Sequence, residues 1–162
     1  MALLMRVVTK PKWIRPDWMS LDDIPADVLS DLRATNNELS VWSTESDRSD
    51  LDAVIVAAAA SREHLDKLDY TLFDENALSS LGIRCVRSDG ETPHRHANKE
   101  MHRDLVQLTA QKVVRLAYMM MPLERVRVSE KQVRLMLTRA IAQGDLERTR
   151  IAPKLLADIE AG

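Results

Sequence analysis

The strongest helical pattern of the sequence covers residues 97–121 and ends at Pro122, which cannot continue a helix. Apolar residues recur along it at the spacing that places side chains on one side of a helix. They are Leu105, Val106, Val113, Leu116, Ala117 and Met120. Such a stripe needs a covering layer, so we predict that this helix is the centre of the fold and that its stripe is buried.

Shorter patterns on either side predict a small sheet covered by further helices. Strands are predicted where apolar and β-branched residues alternate: 2–9, 38–44, 83–87 and 126–128. Helices are predicted from helical spacing and capping residues: 26–34, 51–65, a segment ending at Gly82, 97–121, 129–143 and a last helix at Pro153. Ser49 or Asp50 can cap helix 51–65, and helix 129–143 is predicted to begin with a capping box of Ser129 and Gln132 and to end at Gly144. We therefore predict one α+β domain over 1–162, dominated by helices, with a sheet of three or four strands and a helical C-terminal region over 123–162.

Composition indicates a folded protein in a reducing compartment. Apolar residues make up 45% of the chain and charged residues 30%, which is ordinary for a globular protein. Cys85 is the single cysteine, so the chain cannot form an internal disulfide. Residues 1–8 are apolar but short, and we interpret them as a strand and not as a signal peptide. These features predict a cytoplasmic protein without a membrane segment.

An irregular arm rich in proline and tryptophan covers residues 10–25. Pro11, Pro16 and Pro25 each keep the preceding residue out of the helical region. Between them lie the candidate binding residues Trp13, Arg15 and Trp18. Tryptophan and arginine are enriched at binding hot spots, so the arm is a candidate interaction site. Large aromatic rings also fix irregular segments to the body of a protein, and this alternative stays open.

Three of the four histidines lie close together, at His94, His96 and His102. Imidazole is a good ligand for zinc and related divalent metals, and two histidines in an H-x-H pattern can converge on one ion. His102 falls on the apolar stripe of the predicted helix, which favours a packing role instead. A histidine acting as general base is the remaining alternative. Cys85, between Arg84 and Arg87, is either a reactive thiol or a small buried residue.

Charge is distributed unevenly along the chain. Residues 1–90 carry 10 basic and 16 acidic side chains, a balance of −6, and residues 91–162 carry 13 basic and 9 acidic, a balance of +4. The net charge of −2 argues against a general nucleic-acid binder. In the predicted helix 129–143, Lys131, Arg134 and Arg139 are the candidate phosphate contacts.

The sequence contains no glycine-rich phosphate loop and no HExxH, CxxC or GxSxG motif, which are the signatures of common types of catalytic and binding site. We therefore expect a non-enzymatic accessory protein that binds another macromolecule, foremost a protein or a second copy of itself. A small metal-dependent or histidine-assisted hydrolase at His94, His96 and His102 is the alternative. A nucleic-acid-binding accessory protein is the third expectation, and whether the chain is an enzyme stays open.

Overall fold

The computed structural model describes residues 2–162. In this part of the chain six strands form one antiparallel sheet in the order β4-β5-β2-β1-β3-β6. The strands are β1 Leu3–Val8, β2 Leu39–Thr44, β3 Leu68–Asp74, β4 Arg84–Arg87, β5 His102–Val106 and β6 Val126–Val128. The helices are α1 Val28–Asp31, α2 Leu51–Ala60, α3 Ala77–Ser80, α4 Arg95–Glu100, α5 Ala110–Met120, α6 Glu130–Gln143 and α7 Pro153–Glu160. Short 3₁₀ turns cover Lys10–Trp13 and Arg148–Arg150.

Helices cover both faces of the sheet, because the strand side chains alternate between two apolar clusters. In β1, Met5 packs into one cluster while Leu4 and Val8 pack into the other. One face of the sheet carries α2, α4, α6 and α7, and the other face carries α1, α3 and α5. A sheet buried on both faces needs apolar residues at consecutive positions, which explains runs such as residues 3–8.

The predicted helix over 97–121 is wrong, because this segment is a helix, a strand and a second helix. Strand β5 pairs with β2 on one side and with β4 on the other. The backbone N–H and C=O groups of β5 therefore form hydrogen bonds with these strands and not within a helix. Gln107 then has a φ of +55°, which ends the strand. Thr109 begins α5 as its N-cap, with its side chain accepting a hydrogen bond from the backbone N–H of Lys112 at 3.2 Å.

Most of the predicted apolar stripe is buried, although it does not lie on one helix. Leu105 is buried on β5, and Leu116, Ala117 and Met120 are buried on α5. Val106 and Val113 are only half-buried. The α5 helix therefore covers one face of the sheet, and the centre of the fold is the sheet.

The α+β class is confirmed, but the predicted sheet of three or four strands is too small. The prediction lacked β3 and β5, each of which has a partner strand on both sides. The C-terminal region 123–162 also contributes β6, which pairs with β3 at one edge of the sheet. Within residues 2–162, no helix has the length and apolar character needed to cross a membrane.

Several predicted helix ends are confirmed. Ser129 and Gln132 form a capping box at the start of α6, and Gly144 ends this helix with a φ of +78°. Gly82 has a φ of +67° after α3. Asp50 was predicted to be able to cap α2, but its carboxylate instead accepts a hydrogen bond from the backbone N–H of Glu45 at 2.8 Å.

Candidate functional site

Trp13 fixes the start of the arm to the body of the protein. Its side chain is 2% exposed, and its indole N–H donates a hydrogen bond to the carboxylate of Asp31 at 2.8 Å. The same carboxylate accepts hydrogen bonds from the backbone N–H of Thr9 at 2.7 Å and from its hydroxyl at 3.0 Å. The guanidinium of Arg125 lies 5.7 Å from the centre of an indole ring of Trp13, within the range of a cation–π interaction. Trp13 is therefore an anchor and not a free contact residue.

Residues 14–24 form a closed loop, called the tryptophan loop here. Two turns shape it, with the N–H of Met19 donating to the carbonyl of Pro16 at 3.0 Å and the N–H of Asp23 donating to that of Ser20 at 3.1 Å. The guanidinium of Arg15 donates to the carbonyl of Asp23 at 2.6 Å and so joins the two ends of the loop. Arg15, predicted as a contact residue, holds the loop together in this structure.

Large apolar side chains of the tryptophan loop face solvent. Trp18 is 83% exposed, Leu21 82% and Ile14 64%, and within residues 2–162 no other large apolar side chain is as exposed as any of these three. Exposed apolar groups clustered on one ordered element mark interaction sites. Trp18 was predicted as a contact residue from its residue type, whereas Leu21 was not predicted. The sequence signal for Leu21 was an apolar residue in a polar segment that has neither helical nor strand spacing.

The tryptophan loop also carries exposed carboxylates. Asp17, Asp22 and Asp23 are all exposed on the same loop. The basic side chain of Arg15 is occupied by the loop-closing hydrogen bond. The loop therefore combines exposed apolar side chains with exposed carboxylates, which suit a partner that offers an apolar pocket and basic residues.

The three basic residues predicted as phosphate contacts lie on α6 and have different surroundings. Arg134 lies towards α7, where its guanidinium donates to the carbonyl of Asp158 at 3.4 Å. Arg139 lines a cavity on the side of α6 that faces α2. Lys131 is exposed near the start of the helix. Phosphate binding by these residues stays a prediction.

His94 and His96 line one surface pocket, whereas His102 lines another. His94 is the N-cap of α4, and its Nδ1 accepts the backbone N–H of Ala97 at 3.2 Å. His102 is buried on β5, with its Nδ1 2.8 Å from the hydroxyl of Ser88 and its ring edge-on to Trp42 at 4.9 Å between centroids. His96 is exposed. Burial lowers the pKa of His94 and of His102.

Metal binding by His94, His96 and His102 stays a prediction. Within residues 2–162, no group of three or more histidine, cysteine or acidic side chains is arranged to hold a metal ion. The proposed general base role also stays a prediction. Cys85 differs from an activated thiol, because burial, aided by Glu75, raises its pKa to about 12.

Comparison with known proteins adds no relative from which a function could be transferred. No protein-family model matches the chain, and no curated protein or solved structure is significantly similar to it.

Proposed function

We propose that this protein works by binding another protein, and that the tryptophan loop inserts its apolar tip into a pocket of that partner. The exposure of Trp18, at 83% on an ordered loop, carries the proposal. Exposure of the apolar indole to water is unfavourable, and burial of the ring in a partner lowers the free energy. The side chain has few rotatable bonds, so it loses little entropy when it is bound. Tryptophan is accordingly enriched among residues that dominate binding energy.

The loop is ordered before it meets a partner, which supports this function. The hydrogen bond from Arg15 to Asp23 closes it, and Trp13 and Asp31 fix its root. A preordered loop avoids part of the entropy cost of association. The group of exposed carboxylates on the loop favours a partner with basic residues near an apolar pocket. It disfavours an anionic lipid surface, which attracts basic segments and repels carboxylates.

The first experiment identifies the partner at the loop itself. A photo-crosslinking amino acid at Leu21 is expected to capture one protein in the native cell, and the same amino acid at Leu135 is the control. Leu135 is 58% exposed on α6, outside the tryptophan loop. Capture of a second copy of this chain would make the interaction a self-association. Equal capture from both positions would contradict a specific site on the loop.

The second experiment measures binding of the purified partner. Trp18→Ala is expected to weaken affinity by about 2 kcal/mol or more, because it removes a central aromatic contact. Leu135→Ala removes an apolar side chain of comparable exposure elsewhere and is expected to leave affinity unchanged. Unchanged affinity in Trp18→Ala, with the variant folded, would refute the proposal.

A further inference from the structure

A cavity of about 170 Å³ lies between α2 and α6, away from the tryptophan loop. Ala53 and Val56 of α2 and Met136 and Ala140 of α6 line it with apolar groups. A closed apolar cavity of about 150 Å³ accommodates benzene, which has six non-hydrogen atoms. The space therefore suits a ligand with a short aliphatic group.

His94 lines the same cavity and offers it a hydrogen-bond donor. Its Nδ1 accepts the N–H of Ala97, so in the neutral ring the proton lies on Nε2. Burial keeps the ring neutral by lowering its pKa, although Asp145 acts in the opposite direction. His94 is 5% exposed, and within residues 2–162 no side chain or backbone group is hydrogen-bonded to its Nε2. A donor that has no protein partner on the wall of a cavity is available to a bound ligand.

The backbone around His94 is held firmly, so its position is defined. The hydroxyl of Thr92 accepts the N–H of His94 at 3.1 Å, and the same hydroxyl donates to the side chain of Asn98 at 2.7 Å. The N–H of Glu147 donates to the carbonyl of Pro93 at 2.8 Å. This last bond joins the segment before α4 to the segment after α6, which brings Asp145 and His94 to one cavity.

Charged groups of both signs complete the lining of the cavity. Arg139, one turn from Met136 and next to Ala140, supplies the positive charge, and Asp52 and Asp145 supply negative charge. Within the described residues 2–162, neither Arg139 nor Asp52 forms an ion pair or a side-chain hydrogen bond. Charged groups beside an apolar wall with no partner of their own are available to a ligand.

We propose that this cavity binds the zwitterion of a small aliphatic α-amino acid. The ligand carboxylate would accept hydrogen bonds from Arg139 and from Nε2 of His94, and its ammonium would meet Asp52 and Asp145. The aliphatic side chain would lie against Val56, whose neighbours in the cavity wall are apolar. The size and the two kinds of charge together favour an amino acid of about six to eight non-hydrogen atoms, such as alanine or valine.

Calorimetric titration tests the class of ligand with valine, alanine, isobutylamine and 3-methylbutanoate as probes. Isobutylamine lacks the carboxylate of valine, and 3-methylbutanoate lacks its ammonium. Binding of valine, with each single-charged analogue weaker by about tenfold or more, is the expected result, since each analogue leaves charged groups unpaired. The proposal fails if no amino acid binds at millimolar concentration, or if either analogue binds as well as valine.

Variants then test the assigned residues. His94→Asn keeps a side chain that caps helices well while removing Nε2, and Arg139→Gln removes the charge. Each is expected to weaken valine binding by about tenfold or more, whereas Lys131→Gln on the same helix leaves it unchanged. Amide chemical shifts of Ala53 and Ala140 are expected to move on titration in the unmodified protein. Unaltered affinity in folded Arg139→Gln, or shifts located elsewhere, would overturn the site.

Discussion

Asp31 shows how a single carboxylate supports the candidate interaction site. It is buried, and it accepts hydrogen bonds from the indole of Trp13 and from two groups of Thr9. The sequence did not reveal this role, because Asp31 lies within a short predicted helix and is separated from Trp13 by the whole tryptophan loop. Only folding brings the two residues into contact.

Replacing Asp31 by alanine is expected to lower the free energy of unfolding by about 3 kcal/mol, because buried donors on Trp13 and Thr9 would lose their acceptor. Asp27→Ala, at an exposed position one turn earlier, is the matched control. Urea denaturation followed by circular dichroism measures both. Equal stability of the two variants would show that the carboxylate does not stabilise the root of the loop.

The buried histidines predict how stability depends on pH. Burial lowers the pKa of His94 and of His102 in the folded state, so the unfolded chain binds protons first as pH falls. Stability is therefore fully present above about pH 6.5, the ordinary histidine value, and declines below it towards the lowered folded values. Each histidine contributes a slope of at most about 1.4 kcal/mol per pH unit.

Urea denaturation between about pH 7.5 and pH 5.5 measures this slope, in a range where most carboxylates stay ionised. His102→Asn is expected to reduce the slope, whereas His96→Asn, at an exposed position, is expected to preserve it. A stability that does not change over this range would contradict the proposed burial of neutral histidines.

At the scale of elements, local sequence patterns predicted the ends of helices better than they predicted whether a segment is a helix or a strand. Ser129, Gln132 and Gly144 form the start and end of α6 as predicted, because caps depend on residues close in sequence. The segment His102–Val106 did not follow its helical pattern, because pairing with β2 and β4 outweighs local preference. The sequence signal that this helix begins after residue 97 was Thr109, which is the N-cap of α5.

Strand β3 was missed for a different reason. Leu68, Tyr70 and Phe73 are buried, as are the polar residues Asp69 and Thr71. Asp69 is tolerated there because Arg127 on the neighbouring strand β6 pairs with it at 2.7 Å, and this pairing lowers the pKa of the Asp69 carboxyl. A buried charge that depends on a partner far along the chain interrupts the simple alternation by which strands are predicted from sequence.

The α5 helix allows a graded test of burial at three neighbouring positions. Leu116→Asp is expected to unfold the protein, because Leu116 is 1% exposed and an unpaired charge would enter the core. Val113→Asp is expected to cost about 1–3 kcal/mol, since Val113 is half-buried. Val114→Asp, at an exposed position, is expected to change stability by less than about 0.5 kcal/mol.

Thermal unfolding of the three variants measures this order. Complete unfolding by Val113→Asp would mean that Val113 is buried more deeply than its exposure indicates. A folded Leu116→Asp variant would contradict the packing of α5 on the sheet.

For the whole molecule, the sheet combines the acidic and the basic parts of the chain. Strand β5, from residues 91–162, lies between β4 and β2, which come from residues 1–90. Part of the opposite charge is paired across this division, as in Arg127 with Asp69. The charge asymmetry of the sequence therefore cannot be assigned wholly to an external partner.

This arrangement predicts that the chain unfolds as one unit. Fragment 1–90 is expected not to fold, because β4 would lose the only strand with which it pairs in the described residues 2–162. In the full chain, circular dichroism in the far and near ultraviolet is expected to give coincident thermal transitions. Two separated transitions, or a folded fragment 1–90, would show two independent domains.

The different burial of the three tryptophans gives the protein an intrinsic optical reporter. Trp13 and Trp42 lie in apolar surroundings, whereas the indole of Trp18 is surrounded by water. Emission from Trp18 is expected to be the red-shifted component of the fluorescence spectrum and the component that acrylamide quenches. A partner that encloses this ring will shift that component to shorter wavelength and shield it from the quencher, so docking can be followed in the unlabelled protein.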